Sequence, residues 1–196
     1  MEDRPGQVQR DDLGGGVATE RVRGASRLRH VDPGRRRGPV YRGYAWLSAS
    51  RPFAWIAQRI GWKLDPVLLR LTGGRLGAGL FLPTAVLETR GARSGAARRN
   101  ALVYFHDGDD VIVTAAHLGL PTHPGWYHNL VKTPDVTFGG EPFRATVEQD
   151  DDAIDRLWAA ADRVFPPYAS YRRRAAESGR TIPLVRLTPR PDDSAR

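Results

Sequence analysis

The chain has 196 residues, 40% of them hydrophobic, with 30 Lys and Arg against 22 Asp and Glu for a formal charge of +8, and no cysteine. That length accommodates one sizeable core with extensions, while the missing thiol excludes a disulfide framework, a thiolate metal site and a cysteine nucleophile, and fits a cytoplasmic protein. The positive charge peaks over residues 51–100 and is followed by an acidic stretch over 101–150, a distribution that suits local anion binding; a nucleic-acid partner would call for a coherent basic face interleaved with stacking aromatics.

In chain order, residues 1–40 carry Gly14-Gly15-Gly16, Gly34-Arg35-Arg36-Arg37-Gly38 and few clustered apolar side chains. Such a segment buries too little surface to offset its ordering entropy, so a disordered basic N-terminal extension is predicted. It has no apolar run of the kind a secretory signal requires, and its acidic residues argue against a transit peptide. The basic residues are nearly all Arg, with Lys63 and Lys132 as the lysines, and the wealth of Ala, Gly, Pro and Asp resembles a chain from a GC-rich bacterial genome.

Residues 41–80 are predicted to hold amphipathic helices. Phe53, Ile56, Ile60, Leu64, Val67, Leu68 and Leu71 recur at three- and four-residue spacings with Arg and Lys between them, giving one helix over 52–62 and a second over 65–72, with Asp65 as its N-cap, Pro66 at its first position and Gly73-Gly74 stopping it. Trp46, Trp55 and Trp62 on this segment favour packing on the domain or covering a cofactor; the other reading is peripheral contact with an anionic membrane, the inner face of the cell membrane. No apolar run reaches the roughly 20 residues that span a bilayer.

Residues 81–190 read as one cofactor-binding domain. Strands are predicted over 85–89, 100–106, 111–116, 136–138, 143–147 and 183–188, punctuated by the turns Asp107-Gly108-Asp109-Asp110 and Gly139-Gly140-Glu141-Pro142, with helices over 126–131 and 152–165. Short antiparallel strands with inserted helices indicate an α+β, mainly β fold: a small antiparallel barrel with flanking helices. Residues 191–196 are predicted to be a disordered tail. Within this domain, Gly91-Ala92-Arg93-Ser94-Gly95-Ala96-Ala97-Arg98-Arg99-Asn100 sets glycines, a hydroxyl and three guanidinium groups directly after a strand, a composition suited to phosphate oxygens or, equally, to a solvated hairpin tip. The helix start after Pro124 offers unpaired amides to an anionic oxygen. His117, His123 and His128 fit no standard metal-ligand spacing, and no metal site is expected. There is no Gly-x-Ser-x-Gly elbow for a serine nucleophile.

The succession Leu71-Thr72-Gly73-Gly74-Arg75, Thr89-Arg90-Gly91-Ala92-Arg93-Ser94-Gly95, Arg98-Arg99-Asn100, Asp107-Gly108, Pro124-Gly125-Trp126-Tyr127-His128-Asn129-Leu130 and Arg180-Thr181-Ile182-Pro183 resembles the deazaflavin-dependent nitroreductase and quinone reductase family over about residues 60–188. The resemblance implies a split β-barrel of the FMN-binding, pyridoxamine-phosphate-oxidase-like kind, coenzyme F-420 as cofactor with FMN a less favoured ligand, and hydride transfer to a quinone or nitroaromatic acceptor. It implies that Arg93, Ser94, Gly95 and Arg98 grip the cofactor's phosphate and acidic tail, that Asn100 begins the strand beneath them, that Trp126 and Asn129 border the deazaflavin and its ribityl chain, and that Tyr168 and Tyr171 line the acceptor side as catalytic residues. Either a monomer or a homodimer is compatible with it. The chain departs from the family pattern at Ala116-His117, where Ser-Lys is frequent beside the cofactor, at Gly125, where a larger apolar residue is common, and at Val103, where some members carry an aromatic. The rival reading is a non-catalytic carrier of deazaflavin, FMN or an apolar ligand on the same fold.

Overall fold

A computed structural model describes residues 28–35, 38 and 82–191 of the chain. The predicted helices over 52–62 and 65–72, with Trp55 and Trp62, the preceding Trp46 and the tail residues 192–196 lie outside the described residues. Six strands close a barrel: β1 Thr84–Arg90, β2 Ala97–Asp107, β3 Asp110–Thr114, β4 Asp135–Phe138, β5 Glu141–Val147 and β6 Leu184–Pro189, in the spatial order β1-β2-β3-β6-β5-β4 with every neighbouring pair antiparallel. Among the described residues three α-helices flank it, α1 Gly125–Lys132, α2 Asp151–Val164 and α3 Tyr168–Glu177. Among the described residues, no helix is long and apolar enough to cross a membrane.

The strands follow from alternation. In β1, Ala85, Leu87 and Thr89 are buried while their neighbours are half-buried, the period-two pattern of a strand with one face on a core. In β3, Val111, Ile112, Val113 and Thr114 are all buried, because this strand is covered on both faces. The β4–β5 hairpin turns on Gly139 and Gly140 at φ +60 and +87, two left-handed positions in succession that a two-residue hairpin loop requires and glycine adopts without steric cost. Leu87, Phe105, Phe138, Phe143, Val185 and Leu187 belong to the core. α2 starts where Asp150 accepts a hydrogen bond from the Ala153 amide at 2.7 Å, with Asp151 and Asp152 favourably placed in the first turn, a cap worth about 1 kcal/mol.

The strand limits differ from expectation at two informative places. β2 begins at Ala97, three residues early, because Arg98 and Arg99 stand opposite Thr89 and Glu88 and extend a two-stranded ribbon. β3 stops at Thr114, and the buried Ala115 and Ala116 leave the ladder for an irregular turn. Residues 28–35, expected to belong to a disordered extension, are instead laid against the barrel. Val31 is buried, its amide donates to His106 Nδ1 at 3.1 Å and its carbonyl accepts from the His106 amide at 2.9 Å; the Tyr104 hydroxyl donates to the Arg29 carbonyl at 2.9 Å. Burial, then the neighbouring His30, pushes His106 down to about 4, so its Nδ1 is unprotonated and free to accept at neutral pH.

Arg186 of β6 ties the outer end of the barrel together. It donates to Asp107 and Asp110 at the β2–β3 tip and to Glu148 beyond β5, each at about 3.0 Å, while Arg156 of α2 also pairs with Asp107. Hydrogen bonding from Arg156, opposed by burial and reinforced by Arg186, holds Asp107 below the usual carboxylate range. For Glu148, burial acts upward but is outweighed by Arg186 and the amides of Asp150 and Gln149. Carboxylates depressed in the folded state add stability that is complete above the ordinary carboxylate range, near pH 4, and is lost as pH falls through their folded values. Replacing Arg186 by Met is expected to cost about 2–3 kcal/mol at pH 7, the partly buried setting lowering the usual penalty for orphaned charges, and to flatten the acid limb of the stability curve. Denaturant titrations of both proteins between pH 3 and 7 measure the two effects.

Candidate functional site

The glycine-punctuated turn between β1 and β2 is held from within and from behind. The Gly95 amide donates to the Gly91 carbonyl and the Gly91 amide to the Ala96 carbonyl, both at 2.8 Å, with Gly95 at φ +68. Asn129 of α1, buried, accepts from the Ala92 amide at 2.8 Å through Oδ1 and donates from Nδ2 to Thr89 Oγ1 at 3.0 Å; Lys132 Nζ donates to the Ala92 carbonyl at 2.6 Å. One helix thus pins the turn by side chains a turn apart, which satisfies the half-buried Ala92 amide and removes freedom from the loop.

The turn's cations divide in two. Arg99 pairs with Glu88 at 2.9 Å, whereas Arg93 and Arg98 are exposed and engage no acid among the described residues. Arg98 stands directly opposite Thr89, and directly opposed residues of an antiparallel pair share a face. Its guanidinium therefore rises on the face that α1 borders. Ser94 is exposed beside it, and Asn100, opposite Leu87, is half-buried one step down the ribbon. Trp126 is buried on α1, edge-on to Tyr127 with ring centroids 6.5 Å apart. Arg93, Ser94, Gly95, Arg98 and Asn100 thus share the end of the β1–β2 ribbon that Asn129 pins, and Trp126 stands three residues before Asn129 on α1.

Ala116 and His117 lie across the barrel end. His117, Leu118 and Gly119 take φ +47, +56 and +76 in succession, a stored backbone strain of the sort found at functional positions. Three contacts over-determine it: His117 Nδ1 donates to the Thr122 carbonyl at 2.9 Å, Arg174 of α3 donates to the Leu118 carbonyl at 2.7 Å, and Gly119 lies so close to α3 that an added Cβ would sit 2.5 Å from the Tyr171 carbonyl oxygen. Behind the turn, Arg180 is 8% exposed and donates to the carbonyls of Ala115 and Ala116 and to His123 Nδ1 at 3.2 Å, with its Nε unpartnered. Burial lowers the Arg180 pKa, and burial followed by Arg180 and His128 lowers that of His123.

Tyr168 and Tyr171 are buried at 6% exposure each. Tyr168 packs edge-on to Phe165 and Trp158, and Tyr171 to Phe165 and Tyr168, with ring centroids 4.9–6.2 Å apart. Burial, partly countered by Arg174, raises the Tyr171 phenol, which keeps its proton. This aromatic cluster joins α2 to α3 and stands behind the strained turn.

Sequence reasoning missed four contributors. Thr89 and Lys132 reveal themselves only when α1 is seen against the turn. Arg180 was part of the motif but without a role, and His123 was weighed only as a metal ligand. The partners of Arg180 lie 57 to 65 residues away, and no local pattern announces such a contact.

A family model described as "F420H(2)-dependent quinone reductase" matches residues 64–189. The chain belongs to that family. It is 33% identical over 147 residues to an F420H(2)-dependent quinone reductase of Mycobacterium tuberculosis, a match covering 69% of this chain and 97% of the relative. It is also similar to a solved F420-H2 dependent reductase, FDR-A, at 27% identity and a TM-score of 0.47, covering 54% of this chain and 93% of that one. As a family member the protein is an F420-dependent oxidoreductase, with coenzyme F420 as its cofactor and the antiparallel split barrel as its fold. The donor set fits such a group: two exposed, acid-free guanidiniums and a hydroxyl on a pinned glycine turn match a phosphate and an acidic tail.

Asn129→Ala removes the two hydrogen bonds of that side chain and leaves the Lys132 contact in place. A lost pair of hydrogen bonds with a half-buried amide left unpaired costs about 1–2 kcal/mol, and the loosened turn is expected to weaken F420 binding by about tenfold or more. Thermal unfolding and titration of F420 fluorescence check the two parts separately.

Proposed function

We propose that the protein transfers a hydride from reduced coenzyme F420 to a quinone, with nitroaromatic compounds as a second acceptor class. The observation that carries this reading is the anion cradle on the β1–β2 turn, clamped by Asn129 and Lys132 within the family match. When bound, the reduced cofactor supplies the hydride, and the protein contributes position, polarity and exclusion of water.

In this reading Arg93 and Arg98 take the phosphate and the acidic tail, with Ser94 and the Gly95 turn beside them. Asn100 supports that ribbon. Asn129 fixes the turn rather than spending its amide on the ligand, since Oδ1 and one Nδ2 hydrogen are already committed. Trp126 walls the ring side of α1. Ala116 and His117, in the place of Ser-Lys, leave a smaller, less permanently charged edge there. Tyr168 and Tyr171 act through packing: they brace α3, and α3 holds the strained turn through Arg174 and Gly119.

Arg93→Ala and Arg98→Ala are each expected to weaken F420 binding by about tenfold, the worth of a charge-assisted contact of roughly 1.5–3 kcal/mol discounted for exposure, and the loss should shrink at high salt. Titrations with F420 and with FMN at two ionic strengths measure this; tighter binding of FMN than of F420 would contradict the proposal. Tyr171→Phe keeps the ring and its packing, so kcat with menadione is expected to change by no more than about threefold. A far larger fall in stopped-flow or steady-state turnover would return the phenol to the acceptor.

A further inference from the structure

A cleft of about 550 Å³ opens between the start of α1, the outer face of α2 and the segment leading into β6. Ile154, Trp158 and Leu184 give it apolar walls, and His123, Tyr127 and Arg180 give it one polar end. The size and the mixture suit a flat, mostly apolar ligand with a polar group at one edge.

The polar end is chemically specified. A guanidinium only donates, so the contact from Arg180 to His123 Nδ1 makes that nitrogen the acceptor and places the ring proton on Nε2. No partner for Nε2 is found among the described residues. Burial and the adjacent cation keep the imidazole neutral at pH 7, so it presents an N–H donor, and the guanidinium drawing on Nδ1 strengthens that donor. Arg180 itself faces no carboxylate: its bonded partners are the Ala115 and Ala116 carbonyls and His123, and Glu148, the acid of the cleft, is held by Arg186. Tyr127 packs at a tilt of 39° against the His123 ring, centroids 4.8 Å apart, and restricts its rotation. The same guanidinium that backs His123 also grips the Ala116 carbonyl, so the cleft and the segment beside the cofactor share one wall.

We propose that this cleft is the acceptor site, taking a quinone against the wall that Ile154 and Trp158 form on α2, with one carbonyl oxygen on the Nε2–H of His123. The inference rests on the quinone reductase reading above. A quinone that receives a hydride gains two electrons and one proton at once, and negative charge appears on a carbonyl oxygen. The Nε2–H, backed by Arg180, stabilises that charge as it develops, in the manner of a neutral imidazole electrophile. The imidazole keeps its proton. A proton taken from water completes the hydroquinone, and one proton returns to water from the cofactor, oxidised by loss of the hydride.

The test uses the full chain with three variants. His123→Ala removes the donor, His123→Asn retains an acceptor for Arg180 and an N–H for the quinone, and Thr181→Trp fills the cleft from its exposed rim. Binding of oxidised menadione to the cofactor-free protein is measured by equilibrium dialysis, with the His123 imidazole nitrogens followed by NMR. F420 affinity is read by fluorescence, and turnover of reduced F420 by menadione gives KM and kcat. Menadione is expected to shift the Nε2 signal; Thr181→Trp is expected to weaken menadione binding and raise its KM while F420 affinity is retained. His123→Ala is expected to lower kcat/KM by about 10- to 100-fold, the range for losing one donor to a developing oxyanion, and His123→Asn to recover part of it. Wild-type turnover with menadione that neither His123→Ala nor Thr181→Trp alters would overturn the cleft and leave the quinone reductase reading standing. Menadione binding that is lost in both variants, in a wild-type protein without turnover, would uphold the cleft and sink the reductase reading. Absence of both binding and turnover would sink both.

Discussion

The barrel closes through β1 and β4, and that one closure dictates where everything chemical must lie. The seam is short, with Leu87 opposite Phe138 and Glu88 opposite Thr137, extended by the Gly139 amide on the Val86 carbonyl at 2.9 Å. Because β4 lies beside β1 and not beside β3, the chain leaving Thr114 must cross the barrel end before it can pair again. The strained turn at His117–Gly119 and then α1 make that crossing. α1 consequently arrives against the C-terminal end of β1, where Asn129 and Lys132 reach the glycine turn. Without the closure there would be no helix behind the turn, and its amides and guanidiniums would be an ordinary solvated hairpin tip.

How much of this could be read in the residues depends on the range of the interaction. The strands were legible, since Ala85, Leu87 and Thr89 alternate and the pairs Gly108-Asp109 and Gly139-Gly140 punctuate them in familiar ways. The composition of the basic turn also suggested anion binding, the role proposed for it above. Strand order was not legible: β3 pairs with β6, which begins 70 residues beyond the end of β3, and nothing in Val111-Ile112-Val113 distinguishes one partner from another. The premature end of β3 was hidden for a related reason. Ala115 and Ala116 are apolar and buried and look like strand, but their carbonyls are taken by a distant arginine rather than by a neighbouring strand. Residues 28–35 were misread because one buried valine and two histidine contacts suffice to dock a polar segment, and such contacts leave no periodicity.

Tyr168 and Tyr171 show the converse. Their three-residue spacing placed them correctly on one helical face, yet the same spacing serves a core cluster and a substrate wall equally well. Only the neighbours add to the pattern: Phe165 packs edge-on to both rings and Trp158 to that of Tyr168, which makes the pair part of the cluster that joins α2 to α3.

Two inward-facing arginines bring out what separates structure from function in this protein. Arg186 faces Asp107, Asp110 and Glu148, and although burial works against its charge, those hydrogen bonds outweigh it and raise its pKa. That charge is fully spent at home, and the cluster acts as a clamp. Arg180 is more deeply buried, faces carbonyls and an imidazole, and has its pKa lowered by burial alone. A buried cation without a counter-ion carries a desolvation cost that neutral partners offset only in part. The fold tolerates that cost between the strained turn and the apolar cleft, where the uncompensated field is directed through His123 toward whatever the cleft holds. Preorganised polarity of this kind is most useful where negative charge appears during a reaction and is absent before it. Hydride transfer to a neutral quinone creates such a charge.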